Sequence, residues 1–242
     1  MINFFRKKRK KLADDNKALK YVRYAIGEIV LVVIGILIAL QLNSWKEERK
    51  QISKANIYID NIIDDIINDT LSINNELKSL QEYKTNVENY FKYFEEGTHS
   101  IDEYIDSASV IKARLFSYKP VNHSYKDMLA SGNSNLLGEI QRAKLIALTN
   151  QQTLFQTINM NVVNSILIEG HEAGKYLDGD MSDSDFFEIL KIQQKEKPKG
   201  LLHLHNSISR SYDLIELYER FGGRIKQKSK EAILSLQEQK NK

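Results

Sequence analysis

The chain has 242 residues, 42% of them hydrophobic and 28% charged, with a formal net charge of +3, no cysteine and two prolines. The missing cysteine excludes disulfides, a lipoprotein anchor, thiol catalysis and cysteine-ligated metals. Charge is unevenly placed: Arg6, Lys7, Lys8, Arg9, Lys10, Lys11, Lys17, Lys20 and Arg23 face only Asp14 and Asp15 within the first 24 residues. The rest of the chain is therefore mildly acidic, and the basic balance belongs to a short arm rather than to a nucleic-acid face.

The arm opens with Phe4 and Phe5 and then the cluster Arg6, Lys7, Lys8, Arg9, Lys10, Lys11. Such a cluster is a topology signal, and it is also a candidate contact for anionic lipid headgroups. Leu12 to Arg23 reads as a short juxtamembrane helix. Residues 25–45 follow as a nearly continuous run of Ile, Leu, Val, Gly and Ala. As a helix the run covers ~30 Å, the thickness of a hydrocarbon core. Its polar members, Glu28, Gln41 and Asn43, lie toward the ends, and Tyr21, Tyr24 and Trp45 flank it as an aromatic belt does. The arm is too long for a cleaved leader and no small-x-small pair follows the run, so the segment is expected to remain as a signal anchor. Basic residues stay on the cytoplasmic side, which leaves 46–242 outside; in a bacterium that is the periplasm.

From Ile36 to Glu96 there is neither glycine nor proline, so the span is expected to continue as a stalk helix. Ile52, Ile59, Ile66, Ile73, Leu80, Val87 and Phe94 recur every seven residues, a coiled-coil-like stripe ~70 Å long. Asp69 and Glu76 interrupt its companion positions. Gly97 ends the stalk, and Ser100 to Arg114 reads as a short helix. Pro120 marks a loop, and a helical turn at Tyr125–Ala130 closes on Ser131-Gly132-Asn133, where glycine suits a left-handed cap.

A long helix is predicted from about Ser134 to Tyr176. Its middle is rich in Gln and Asn, including Gln152 and Asn159, which excludes a second membrane span. An acidic turn at 178–185 caps a short helix, Ser184–Lys191. A last long helix is expected from near Leu201, with Gly222-Gly223 as a place to kink and a polar, fraying end over 225–242. The fold class is all-α: a membrane anchor running into a stalk and packed with return helices as an elongated antiparallel bundle, in the order 1–24 cytoplasmic arm, 25–45 span, 46–242 extracytoplasmic domain.

The segment Gly27-Glu-Ile-Val-Leu-Val-Val-Ile-Gly-Ile-Leu-Ile-Ala-Leu-Gln-x-Asn-x-Trp45 closely resembles the mark of an uncharacterised family of single-span membrane proteins common in Bacteroidota. Phe4-Phe5-Arg6 and the Tyr125…Ser131-Gly132-Asn133 turn resemble it too. The likeness implies topology and a helical fold, and it brings no active site.

Glu28, one turn inside the span, is either part of an ion pathway or a structural carboxylate near the interface. Gly27, Gly35 and Ala39 are expected roughly on one helical stripe beside it, where small residues either let copies associate through close helix–helix approach or are merely common in membrane helices. The acidic turn fails the EF-hand pattern at Asp183 and Ile189. His203-x-His205 sits at a spacing that sends two helical side chains to different faces, and Glu169, His171 and Glu172 have no matching second cluster. No catalytic, cofactor or metal residue is assigned. The expected partners are the membrane and either another protein or a second copy, with no nucleic acid. The function expected is a non-enzymatic scaffold, sensor or assembly partner. The alternative is an accessory subunit of an ion-driven or transport complex that uses Glu28.

Overall fold

The computed structural model describes residues 18–111, 113–177 and 196–241. Among them all regular structure is helical: α1 Ala18–Ser79, α2 Gln81–Glu95, α3 Ile101–Ile111, α4 His123–Ala130, a 3-10 turn at Ser134–Leu136, α5 Glu139–Ala173 and α6 Lys197–Lys240. The chain divides into two compact units, Met1–Ala55 and Asn56–Lys242. The basic cluster Arg6–Lys11, the acidic turn 178–185 and the helix expected at Ser184–Lys191 lie outside the described residues.

Among the described residues of the first unit the element is the N-terminal part of α1. One helix among the described residues is long and apolar enough to cross a membrane, and none of its most apolar 18-residue window is buried. Leu31 is 71% exposed, Ile29 63% and Leu37 59%. Ile52, assigned to the buried stripe by its heptad position, is exposed as well.

In the second unit α1 and α2 run almost without interruption. Only Leu80 separates them, at φ −91° and ψ −8°, and the ladder passes through it: Leu80 N donates to Glu76 O at 3.1 Å and Lys84 N to Leu80 O at 2.8 Å. The expected unbroken stalk is thus correct to within one residue, because nothing from 56 to 96 removes a backbone donor or opens a left-handed option. Helix α6 lies antiparallel to α1–α2, with Asp60 bonded to Lys240, Lys84 to Glu219 and Glu88 to Tyr212. It is also antiparallel to α5, where Lys144 meets Glu231 and Ser207 meets the Ile166 carbonyl. The core these three helices share includes Ile59, Ile62, Ile66 and Ile73 from α1, Leu145, Leu148, Phe155 and Ile166 from α5, and Ile208, Leu214, Ile215, Ile225 and Leu236 from α6. Each set follows the three-and-four spacing that keeps one helical face inward. Phe155 stands at the centre, stacked on Phe221 at 5.3 Å and edge-on to Tyr218 at 4.8 Å.

Three expectations change. Helix α5 starts at Glu139 rather than Ser134, after a 3-10 turn. Helix α6 starts at Lys197, four residues early, because Pro198 occupies the first turn where its missing N–H has no partner to lose. Neither Gly222-Gly223 nor the polar end breaks α6: Gly222 faces α1 so closely that a Cβ would meet Ile73 Cγ2 at 2.8 Å, and Ile225, Ala232 and Leu236 are buried. The left-handed cap after α4 is present. Gly132 has φ +70°, Asn133 N donates to Met128 O at 2.9 Å and Gly132 N to Leu129 O at 3.1 Å.

Candidate functional site

The span residues singled out by sequence share one exposed helix. Gly27, Gly35 and Ala39 are exposed and Glu28 half-exposed; a Cβ added at Gly27 or Gly35 meets nothing within 4 Å. At about 100° per residue Glu28, Gly35 and Ala39 fall within roughly 40° of one another, while Gly27 lies some 80° to one side of Gly35. Arg49 lies over the Trp45 ring at 4.0 Å.

The second unit holds a polar centre that the sequence reading missed. Asp69 is 0% exposed. Its carboxylate accepts from Tyr118 OH at 2.9 and 3.1 Å, from Val121 N at 3.0 Å and from Gln152 Nε2 at 2.9 Å. One turn earlier, Asp65 accepts from Ser124 N at 2.7 Å. It thereby supplies from another helix the acceptor that the α4 N-terminus lacks, since Asn122 makes no side-chain cap bond there. From α5, Asn159 Oδ1 accepts from Tyr118 N at 2.9 Å and its Nδ2 donates to Phe116 O at 3.2 Å. Gln152 Oε1 accepts from Asn122 Nδ2 at 3.0 Å.

These groups bond Phe116 O, Tyr118 N and Val121 N in the irregular stretch 113–122, which has no strand or helix ladder of its own. Burial raises the Asp69 carboxyl above its ordinary value, against the opposing pull of Val121 N–H, Gln152 and Tyr118. It also raises the Tyr118 hydroxyl, with the Asp69 charge adding to the effect. The neighbouring cavity, lined by Ile62, Tyr125, Leu145 and Leu148 among others, measures about 10 Å³, room for one water at most. The Asp69 oxygens are occupied by protein donors, which hold a loop in place, while Asn122 Oδ1 beside the void is buried without a partner.

The histidines separate as their spacing implies. His203 Nδ1 meets Glu169 Oε2 on α5 at 2.8 Å, and His205 Nδ1 meets Tyr90 OH on α2 at 3.0 Å. Burial lowers the His205 imidazole and pushes the Tyr90 hydroxyl up to about 12. Phe91 and Phe94 also pack on the His205 ring, at 5.8 and 4.5 Å. Among the described residues no group of three or more His, Asp or Glu is placed to hold a metal ion.

Of the groups found here, Asp69 alone had a readable signal, a carboxylate standing where an apolar residue belongs in the stalk pattern. Asp65 had none, because its partner is 59 residues away. The model of a family of unknown function (DUF6090) matches residues 28–197. No curated protein matches the chain, and no solved structure does.

Proposed function

The chain belongs to that family of unknown function, and from this premise we propose that it is a membrane-anchored, non-enzymatic helical interaction protein of the bacterial inner membrane. In this reading residues 1–24 form a cytoplasmic basic arm, 25–45 the anchor, and 46–242 a periplasmic domain that works as scaffold, sensor or assembly partner. The observation that carries it is the bare apolar surface of α1, where Ile26, Ile29, Leu31, Ile34, Leu37 and Leu40 are all at least half exposed. Each such side chain left in water forgoes about 1.5–3 kcal/mol of burial, and a bilayer removes that cost along the whole run. Tyr24 and Trp45 at its two ends suit the headgroup region, and the basic excess before it sets the direction.

The test is fractionation combined with a topology reporter. The full chain is expected in carbonate-washed membranes, with a reporter fused after Lys242 active only outside the cytoplasm. Recovery in the high-speed supernatant, or a reporter active only in cytosol, refutes the anchor.

One observation favours a second reading, an accessory of an ion-driven or transport complex: the Glu28 carboxylate stands between exposed Ile26 and Ile29 on the same apolar helix. On this reading Glu28→Gln behaves as a deletion of the protein while insertion and abundance stay normal. Wild-type behaviour of that variant ends it.

A further inference from the structure

Helices α1 and α6 leave an open groove of about 310 Å³ between them. Ile67 and Leu71 line one wall, and Ile233 and Leu234 line the other. Ile67 is 43% exposed, and Leu71 and Leu234 are each 51% exposed. From Lys226 to Leu234 the groove covers about two helical turns, roughly 12 Å. An apolar gutter of this kind on a water-facing surface marks a contact.

The polar members of the lining say what chemistry covers it. Its charged residues are Lys226 and Lys230, which stand on either side of Ser229 in the sequence of α6. Neither lysine enters an ion pair among the described residues. No Asp or Glu among those residues lines the groove, and Asp64 stands one turn beyond Ile67. Ser229 also lines it and is 2% exposed, yet its Oγ is buried without a hydrogen-bond partner. The other hydroxyl of the lining, Thr70 Oγ1, already donates to the Ile66 carbonyl at 2.9 Å. Two unpaired ammonium groups and an unpaired hydroxyl within five residues of one helix match a carboxylate, which is negative and only accepts.

We infer that the groove receives an acidic amphipathic helix of another protein. The apolar residues of that helix lie against Ile67, Leu71, Ile233 and Leu234. One Asp or Glu beside them sits between Lys226 and Lys230, where its carboxylate accepts from Ser229 Oγ. A lipid acyl chain fits less well. It would lie over the Ser229 hydroxyl with no atom to accept its hydrogen, and an open gutter does not enclose a small ligand as a pocket does. The inference names the chemistry of the partner in the interaction role proposed above. It rests on that role and not on the anchor.

The test titrates the full chain, held in phosphatidylcholine nanodiscs, into a fluorescent peptide and follows anisotropy. The peptide has about 18 residues, five helical turns, with Leu at i, i+3, i+4 and i+7 and Glu beside them. Saturable binding is expected. Lys226→Gln with Lys230→Gln should weaken it about tenfold or more, as should Leu71→Asp with Leu234→Asp, each with helix content unchanged. Ser229→Ala should weaken it about tenfold. Arg220→Gln with Arg224→Gln should leave it unaltered, because those two exposed cations of α6 lie outside the lining. No saturable binding, equal binding of a peptide with Gln for Glu, or an equal loss from the arginine variant overturns the inference. Displacement of the peptide by palmitate gives the groove to lipid and overturns it too. So does an oligomer of the chain alone that Leu71→Asp with Leu234→Asp abolishes, which gives the groove to a second copy. Recovery of partners from native membranes keeps the two readings apart. A partner held equally by the parent and the lysine variant refutes the groove and leaves the interaction role standing. No partner with either refutes the role, while the peptide titration decides the groove by itself.

Discussion

Asp69 is the residue whose environment departs furthest from what its type favours. An ionised carboxylate at 0% exposure, held by a tyrosine hydroxyl, an amide side chain and one backbone N–H with no cation beside it, forgoes most of its hydration. Its folded pKa is raised above the unfolded value. The protonated form is thus the one the fold favours. The contribution to stability is fully present below the unfolded value near 4 and is lost as pH rises through the raised folded value. His205 acts from the other side: its folded pKa is lowered, so its contribution is present above about 6.5 and is lost as pH falls toward the lowered folded value. Asp69→Asn removes the first of these dependences. It also sets an amide N–H₂ where three donors converge, which leaves at least one donor unpaired at a cost of about 1–3 kcal/mol. Urea unfolding of the full chain in mild detergent, repeated from pH 4 to pH 8, should show a lower midpoint for the variant and a flatter decline on the alkaline side. A variant as stable as the parent, with an unchanged pH profile, contradicts this account of the centre.

At the scale of elements, what the sequence showed and what it hid divide by range. Helix existence was legible because the apolar stripe and the absence of glycine and proline are local properties. The cap at Gly132 was legible because a left-handed residue after α4 needs glycine. The course of 113–122 was not, since its backbone is satisfied by Asp69, Asn159 and Tyr83, side chains 31 to 52 residues away from their partners. The amides of α5 were legible only as a bar to a second membrane span. Two of them, Gln152 and Asn159, face inward and hold that loop, a choice no periodicity reveals.

Gly222 and Gly223 show the same limit and allow a paired test. Both lie inside α6, where glycine forgoes about 0.5–1 kcal/mol relative to alanine. At Gly223 a Cβ meets nothing within 4 Å, so Gly223→Ala should stabilise by about that amount. At Gly222 the new Cβ would press on Ile73 Cγ2 at 2.8 Å, and Ile73 is 1% exposed and stiff at its branched carbon. Overpacking there should outweigh the helical gain, so that Gly222→Ala destabilises by about 1–3 kcal/mol. Thermal melts of the two variants should move in opposite directions. A rise in both would mean that α1 and α6 are loosely seated at that level.

For the whole molecule, the two units ask different things of the solvent. Residues 56–242 carry the buried layers named above and the polar centre, which is what independent folding requires. The first unit offers an apolar helix with no buried window, which on the anchor proposed above is covered by lipid. A chain beginning at Asn56 should therefore be soluble and unfold cooperatively, with the Asp69 pH dependence intact. Urea unfolding followed by helix content and by tyrosine fluorescence checks this, and the two signals should change together. Precipitation of the shortened chain, or two separate transitions, would mean that residues before Asn56 help to hold the bundle.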